Sequence, residues 1–424
     1  MTRAPAESLF MSEPVSDRRL RIDVYFDVYP HPAKPYFEAQ LGEWQRQGHA
    51  LRLFSFGGIP GARSAFPIRP IHTLRETPVS IGLAMLQRWI RHPARAWRVL
   101  RSRSHPLDRL KALAIDAQLP ESPADVQFVH NLETAVRLTH LKFAYPQATL
   151  AIYYHGGEIP GVPQIPHSLS SLALSRADIV FSNTQASVSE SISRGAHAAR
   201  TACVPVGFDL ERFAPPIRNH PDGRWRFACV GRMAREKGFD VTMRALAEIA
   251  TSHDEFHLTL IGDGPELPAL KELTDRLGLT GHVTFRGHLE SRELLAELAS
   301  CDVLILSSLP VPGSSWRETQ ACVMQEAMLM GAIVVGSDFG GIRESLPPAL
   351  HPFLYAPGST TQLAERLGAV MCLKRAELAA LSRTGREFVV AHYDIRNVNR
   401  MLLAAVTRLT SGNVPSRRPT STGE

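Results

Sequence analysis

The 424-residue sequence contains no apolar run approaching the ~20 residues that a membrane-spanning helix requires. Its first stretch, MTRAPAESLFMSEPVSDRR, lacks the sustained apolar core of a secretory leader, so a cytoplasmic location is the expectation. Cysteine is scarce: five residues, at 203, 229, 301, 322 and 372, with no CxxC and no Cys/His pairing. That spacing argues against a zinc motif or a disulfide framework, and thiols set in apolar runs read as buried and reduced. Neither GxxxxGK[ST] nor GxGxxG occurs, so the two commonest phosphate-binding loops are absent. No repeat at solenoid spacing stands out.

What is present is an ordinary globular balance, 44% apolar and 21% charged, on a chain long enough for two or three domains. The net charge of +6 fits an anionic substrate, an anionic membrane surface or nucleic acid, and selects none of them. Residues 1–18 read as a flexible arm. Short apolar runs follow at 20–29, 51–58, 125–131, 149–158, 175–183 and 199–209. The first is stopped by HPAKP and followed by a helix carrying Phe37, Leu41 and Trp44 on one face. The polar, proline-rich stretch 211–224 reads as a linker. Beyond it the runs restart at 226–230, 256–266, 283–289, 301–308 and 332–338. Helices are expected at 360–372, 375–391 and 392–409, and the Ser/Thr/Pro/Gly tail 411–424 has a disordered composition. Continuous apolar strands alternating with helices predict an α/β architecture of parallel sheets covered on both faces.

Residues 75–111 stand apart. Arg88, Arg91, Arg95, Arg98 and Arg101 interleave with Leu86, Trp89, Ile90 and Trp97, and Pro93 predicts a break into two short helices. Such a segment suits an anionic bilayer surface. The alternative is an amphipathic helix pair packed on its own domain with a solvated basic face. No nucleic-acid-binding module accompanies the charge, so nucleic acid is set aside as a partner.

The stretch WRETQACVMQEAMLMG, 316–331, carries Glu318 and Glu326 between two apolar strands. Glu318 falls in the loop outside a strand's carboxyl end, where open α/β sheets bind ligands, and Glu326 about two turns further on. In the second half, strand 226–230 runs into Gly231 and Arg232, then Glu236, Lys237 and Gly238, then a helix from 239. A glycine turn, two cations and a helix N-terminus are the ingredients of a diphosphate site. Arg286, Gly287 and His288 end another strand, where they could brace a base or ribose. His155 ends strand 149–158 beside two glycines and would point into the crevice; His130, ending the strand before it, reads first as structural.

Seven of these pieces, in this order, resemble retaining, nucleotide-sugar-dependent glycosyltransferases of the GT-B fold, often called family 4. They are PVGFDLERF, VGRMAREKG, LIGDGPE, VTFRGHL, the two glutamates 318 and 326, EAMLMG and SDFGGIRE. The N-terminal half, through YFEAQLGEWQRQGHALRLF and YYHGGE, resembles enzymes that build bacterial exopolysaccharides. The resemblance implies two Rossmann-like domains facing a cleft, 19–210 for acceptor and 225–390 for donor, with helix 391–410 crossing back to the first. It implies that Gly231, Arg232, Lys237 and Gly238 hold the donor diphosphate, aided by the helix N-terminus at Ala321 and Cys322. Glu318 would bind donor-sugar hydroxyls, Glu326 the ribose hydroxyls, and His155 would lie near the anomeric carbon. The implied reaction moves a hexosyl group from UDP- or GDP-sugar to a saccharide or lipid-linked saccharide, without metal or cofactor. The chain departs from the family pattern at Thr319, Gln320 and Ala321, which puts donor choice there in question. Two alternatives remain at this stage: an epimerase on the same fold, and a non-catalytic sugar-nucleotide-binding component.

Overall fold

The computed structural model describes residues 18–31, 34–156, 164–214, 223–251, 253 and 255–410. The arm (apart from residue 18), the tail, the middle of the linker and the Gly-Glu pair at 157–158 lie outside them. The apolar runs form the strands β1 (Arg21–Val28), β2 (Ala50–Gly57), β3 (Ile68–Pro70), β4 (Val126–His130), β5 (Thr149–Tyr154), β6 (Ile179–Ser182) and β7 (Thr201–Cys203). After the linker come β8 (Trp225–Val230), β9 (Phe256–Ile261), β10 (Val283–Gly287), β11 (Val303–Leu306), β12 (Ile333–Ser337) and β13 (Leu354–Tyr355). Two all-parallel sheets result, ordered β3-β2-β1-β4-β5-β6-β7 and β10-β9-β8-β11-β12-β13. Strands β4, β5, β6, β11 and β12 are buried along their whole length, as a sheet covered on both faces demands.

The first sheet carries the helices α1 (Pro35–Arg46), α2 (Pro78–Arg91), α3 (Pro93–Leu100), α4 (Pro106–Gln118), α5 (Leu132–Arg137), α6 (Leu141–Ala144), α7 (His167–Leu174) and α8 (Gln185–Ser193). The second carries α9 (Phe239–Ala250), α10 (Leu267–Arg276), α11 (Ser291–Ser300), α12 (Cys322–Leu329), α13 (Thr360–Met371) and α14 (Arg375–Tyr393), followed by α15 (Ile395–Thr410). Helix α15 leaves the second domain and packs on the first. Its Val398, Leu402 and Val406 join the core that holds Phe37, Leu41 and Trp44 of α1, and Asn399 donates to the Gln40 carbonyl at 3.1 Å. The chain therefore crosses between domains twice, and the crossings touch. Phe208 N donates to Tyr393 O (2.7 Å) and Ile395 N to Phe208 O (2.9 Å). Gly207 is needed there, since a Cβ would stand 2.8 Å from the Ile395 backbone.

Two expectations are corrected. Residues 75–111 lie on three helices, because Pro106 starts α4, continuing to Gln118, after the break that Pro93 makes. Arg88 and Arg95 are not on a solvated face: they are buried against Asp116, itself 0% exposed. Arg95 grips that carboxylate through Nη2 (2.6 Å) and Nε (3.0 Å) and stacks over Tyr145, while Arg88 donates to the carbonyls of Asp116 and Leu119. A buried charge persists only when paired and hydrogen-bonded in this way. The second correction concerns cysteine. All five thiols are free, but only Cys229 and Cys301 are fully buried and Cys372 is exposed.

Candidate active site

A cleft of about 640 Å³ opens between the N-terminal end of α1, through Pro35, Tyr36 and Ala39, and the carboxyl ends of the second sheet. Its floor is set by the register of β8 and β9, in which Val230 pairs with Ile261. The chains then turn so tightly that a Cβ on Gly262 would lie 1.9 Å from the Gly231 carbonyl. Gly231 and Arg232 thus emerge directly into the cleft. A 3-10 turn over Arg235–Lys237 follows, and Gly238 adopts φ +59° before α9 begins. Only glycine fits, since a Cβ would meet Ser307 O at 2.1 Å. Gly238 does not line the cleft; it fixes the bend that turns Lys237 back over it.

Lys237 Nζ lies 2.6 Å from Glu318 Oε2 and 5.2 Å from the centre of the Trp316 ring. The same carboxylate oxygen accepts the Ser308 hydroxyl at 2.6 Å. Glu318 is only 7% exposed, and its backbone is clamped as tightly as its side chain. Gly341 N donates to Glu318 O at 2.8 Å, and a Cβ on Gly340 would stand 2.0 Å from that oxygen. The glycine loop after β12 therefore holds the carboxylate in place. Arg232, half exposed, ion-pairs with the buried carboxylate of Glu236.

Ala321 caps the N-terminus of α12, and Ala321, Cys322 and Glu326 all line the cleft. The Glu326 side chain is partly buried at its depth, and loss of solvent raises its carboxyl to about 7, opposed by Arg212. Burial, with Glu326 and Glu318 close by, pushes the Cys322 thiol well up, so it is no ready nucleophile. His288 reaches the cleft at the end of β10, whereas Arg286 turns away to pair with Glu297 at 2.8 Å.

His155 does not line this cleft. It borders a separate cavity of about 10 Å³, with Tyr36 lining both. Its ring stacks on Tyr153 at 4.3 Å between centroids, and Nε2 sits 3.1 Å from His130 Nδ1. Burial, with a contribution from Lys34, lowers it to about 3, so the imidazole is neutral. Its carbonyl accepts the Thr319 hydroxyl at 3.3 Å.

The irregular segment 319–321 divides between two tasks. Thr319 faces His155 and Gly156, and the Gln320 amide bridges to Val206, accepting its N–H (2.7 Å) and donating to its carbonyl (3.0 Å). Gln320 and Ala321 also border the cleft. A third interdomain tie comes from Glu344, whose carboxylate accepts from Gln185 N (2.7 Å) and Ala186 N (3.2 Å) at the start of α8. Sequence reasoning did not single out Ser308, Trp316, Arg212 or Tyr36, and it tied Gln320 to donor choice and not to the contact with Val206. Ser308 had a readable signal, as the polar residue ending the run CDVLILSS; the others depend on a neighbouring domain or loop. Among the described residues no group of three or more His, Cys, Asp or Glu side chains is placed to hold a metal ion.

Residues 224–372 match the family model "Glycosyl transferases group 1". The chain is 30% identical over 180 residues to a 2-deoxystreptamine glucosyltransferase of Streptomyces kanamyceticus, covering 42% of this chain and 44% of that one. It is 25% identical over 289 residues to the putative colanic acid biosynthesis glycosyltransferase WcaL of Escherichia coli K12, covering 68% and 71%. The chain thus spans about half the length of the first relative. The crystal structure of Anabaena HepE in complex with UDP superposes with a TM-score of 0.65 at 18% identity, covering 91% of this chain and 99% of that one. The architecture is the GT-B fold, and the domain that supplies Arg232, Lys237, Glu318 and Glu326 is a group 1 glycosyltransferase domain.

Proposed function

We propose that this protein transfers a hexosyl group from a nucleoside-diphosphate sugar to a saccharide or lipid-linked saccharide, with retention at the anomeric carbon, in building a bacterial surface polysaccharide. The observation that carries the reading is the meeting of Lys237 and Glu318 at 2.6 Å on the floor of a cleft that Arg232 also lines. The group 1 domain and relatives named as a glucosyltransferase and a colanic acid glycosyltransferase support the hexosyl donor and the polysaccharide setting.

Donor binding inserts the diphosphate between Arg232, Lys237 and the first amides of α12, which lack partners within the helix. Lys237 exchanges part of its contact with Glu318 for a phosphate oxygen, which frees Glu318 to accept donor-sugar hydroxyls. Glu326 accepts the ribose hydroxyls. In the reaction the bond from the anomeric carbon to the diphosphate oxygen breaks, and the negative charge that develops is met by the two cations. The acceptor hydroxyl oxygen bonds to the same face of that carbon, and its proton passes to the departing phosphate oxygen. His155, neutral and off the cleft, acts by positioning, through the backbone carbonyl that holds Thr319. The proposed reaction needs no resident metal or cofactor.

Thermal-shift screening with UDP, GDP and ADP, followed by transfer assays with the matching sugar nucleotides, tests the reading. Expected are stabilisation by one nucleotide, a product whose anomeric configuration by NMR equals the donor's, and activity that survives EDTA. An inverted product, or epimerisation of UDP-N-acetylglucosamine without any transfer, would overturn it.

A further inference from the structure

Helices α2, α3 and α4 are inserted between edge strand β3 and central strand β4. Their inward side buries the charged trio Arg88, Arg95 and Asp116 among apolar residues such as Ile81, Ala96, Val99 and Leu113. Their outward side carries large apolar residues interleaved with cations. On α2, Val79, Leu83, Leu86 and Ile90 recur at helical spacing and are 75%, 57%, 56% and 68% exposed. Trp89 lies beside them, Trp97 follows on α3, and Leu107 and Leu110 on α4. Among the described residues nine large apolar side chains are exposed, and eight of these fall between 79 and 110. Scattered exposure of single apolar residues is normal; concentration on one insertion marks a surface made to be covered.

The surrounding charge identifies what covers it. Arg91, Arg98, Arg109 and Lys111 are exposed on the same helices, with Arg101 exposed just past α3, and Asp108 is the only acidic residue on these helices besides the buried Asp116. We infer that α2, α3 and α4 form a docking face for an anionic lipid surface. The apolar stripe enters the acyl boundary, the two tryptophans lie at the interface, and the arginines contact headgroup phosphates. A second copy of this face is the weaker occupant, because its cations would oppose these cations. The buried Arg95–Asp116 pair ties α3 to α4, so the face is a rigid platform held by the fold. The inference is independent of the donor chemistry proposed above.

The test uses the full chain with vesicles of phosphatidylcholine alone or mixed with phosphatidylglycerol. Expected are sedimentation with the mixed vesicles only, release in high salt, and quenching of tryptophan emission by brominated acyl chains that falls in Trp89→Phe/Trp97→Phe. Leu86→Glu/Ile90→Glu should reduce the bound fraction about tenfold or more, and Arg98→Glu/Arg101→Glu should reduce it too. Leu86→Glu/Ile90→Glu should keep the wild-type melting curve and nucleotide response, because these side chains face solvent; Arg98→Glu/Arg101→Glu gives up the Arg98 bond to the Phe143 carbonyl and should keep the nucleotide response with only a small drop in melting temperature. Absence of vesicle binding would overturn the inference, as would equal binding to neutral vesicles. A dimer in ultracentrifugation that Leu86→Glu/Ile90→Glu dissolves, with no vesicle binding, would assign the face to a second copy instead.

Discussion

Lys237 and Glu318, 81 residues apart in the chain, form an ion pair at 2.6 Å that joins the turn after β8 to the loop before α12. Neither residue is free to choose its position: Gly238 fixes one backbone and the Gly340–Gly341 loop fixes the other. The pair is therefore a preorganised feature of the cleft and not a surface contact, with Glu318 only 7% exposed. Lys237→Ala and Glu318→Ala should each lower transfer on the order of 100-fold or more, as expected for losing a preorganised charge at a leaving group or a reacting sugar. Circular dichroism should show both variants folded. Near-wild-type turnover in either would remove the donor-site assignment.

Gly238→Ala should act one step upstream. The added Cβ meets Ser307 O at 2.1 Å in a left-handed backbone, so the turn must deform. A loss of about 2 kcal/mol or more in stability is expected, together with weakened nucleotide binding as Lys237 shifts. Denaturant unfolding and nucleotide titration of the same sample read the two effects.

Glu326 makes binding depend on pH. Its folded carboxyl, at about 7, lies above its ordinary value of 4.5, so the folded protein holds the proton more tightly than the unfolded chain. Its contribution to stability is present below about 4.5 and is lost as pH rises through about 7. Ribose hydroxyls donate best to the ionised form, so nucleoside-diphosphate affinity should increase from pH 6 to pH 8, on the order of tenfold. Glu326→Gln should flatten that profile. Isothermal titration across the range decides it, and an unchanged slope in the variant would sink the assignment.

His155 has the opposite linkage. Burial takes it from 6.5 to about 3, so the unfolded chain binds a proton that the folded protein refuses. The stability it contributes is present above 6.5 and is lost as pH falls toward 3. His130 and His140, also buried and lowered, add to the same acid sensitivity. Melting temperatures measured from pH 7 to pH 4.5 should fall less steeply in His155→Gln than in the parent.

Glu344 and Gln320 tie the two domains across the cleft. Glu344→Ala removes two hydrogen bonds to the start of α8, and Gln320→Ala removes two to Val206. The double variant should open the domains, seen as a larger radius of gyration in solution scattering without nucleotide. It should also raise KM for the donor more than it lowers kcat, since closure then draws on binding energy. A compact, kinetically normal double variant would show that the remaining ties, the crossing of Phe208 with Tyr393 and Ile395 and the packing of α15, suffice to set the domain angle.

Much of the fold was readable because parallel strands buried on both faces need continuous apolar runs: β4, β11 and β12 follow theirs within a residue or two, while β5 starts where expected and stops at Tyr154, before the His-Gly-Gly-Glu end of its run. The start of α9 at Phe239 was readable for the same kind of local reason, a glycine in a left-handed turn just before it. The short edge strand β3 was not, since three residues, two of them exposed and one of those a proline, leave no pattern. The insertion 75–111 was misread in a specific way. Arginine in a helix looks solvated until Asp116, more than twenty residues away, is known to lie beneath it.

The sequence by itself determined the two parallel sheets, the order of the phosphate-facing and sugar-facing loops, and the residue types they carry. Those features are local: strand burial, glycine turns and helix starts depend on neighbours in the chain. Tertiary structure alone decided which groups meet. It joined Lys237 to Glu318, moved His155 into a side cavity under Tyr36, and turned Thr319 and Gln320 toward the other domain. It also buried two arginines and exposed two tryptophans on one insertion. Each of those outcomes depends on packing between segments distant in sequence, and pairwise contact of that kind is not encoded in local periodicity.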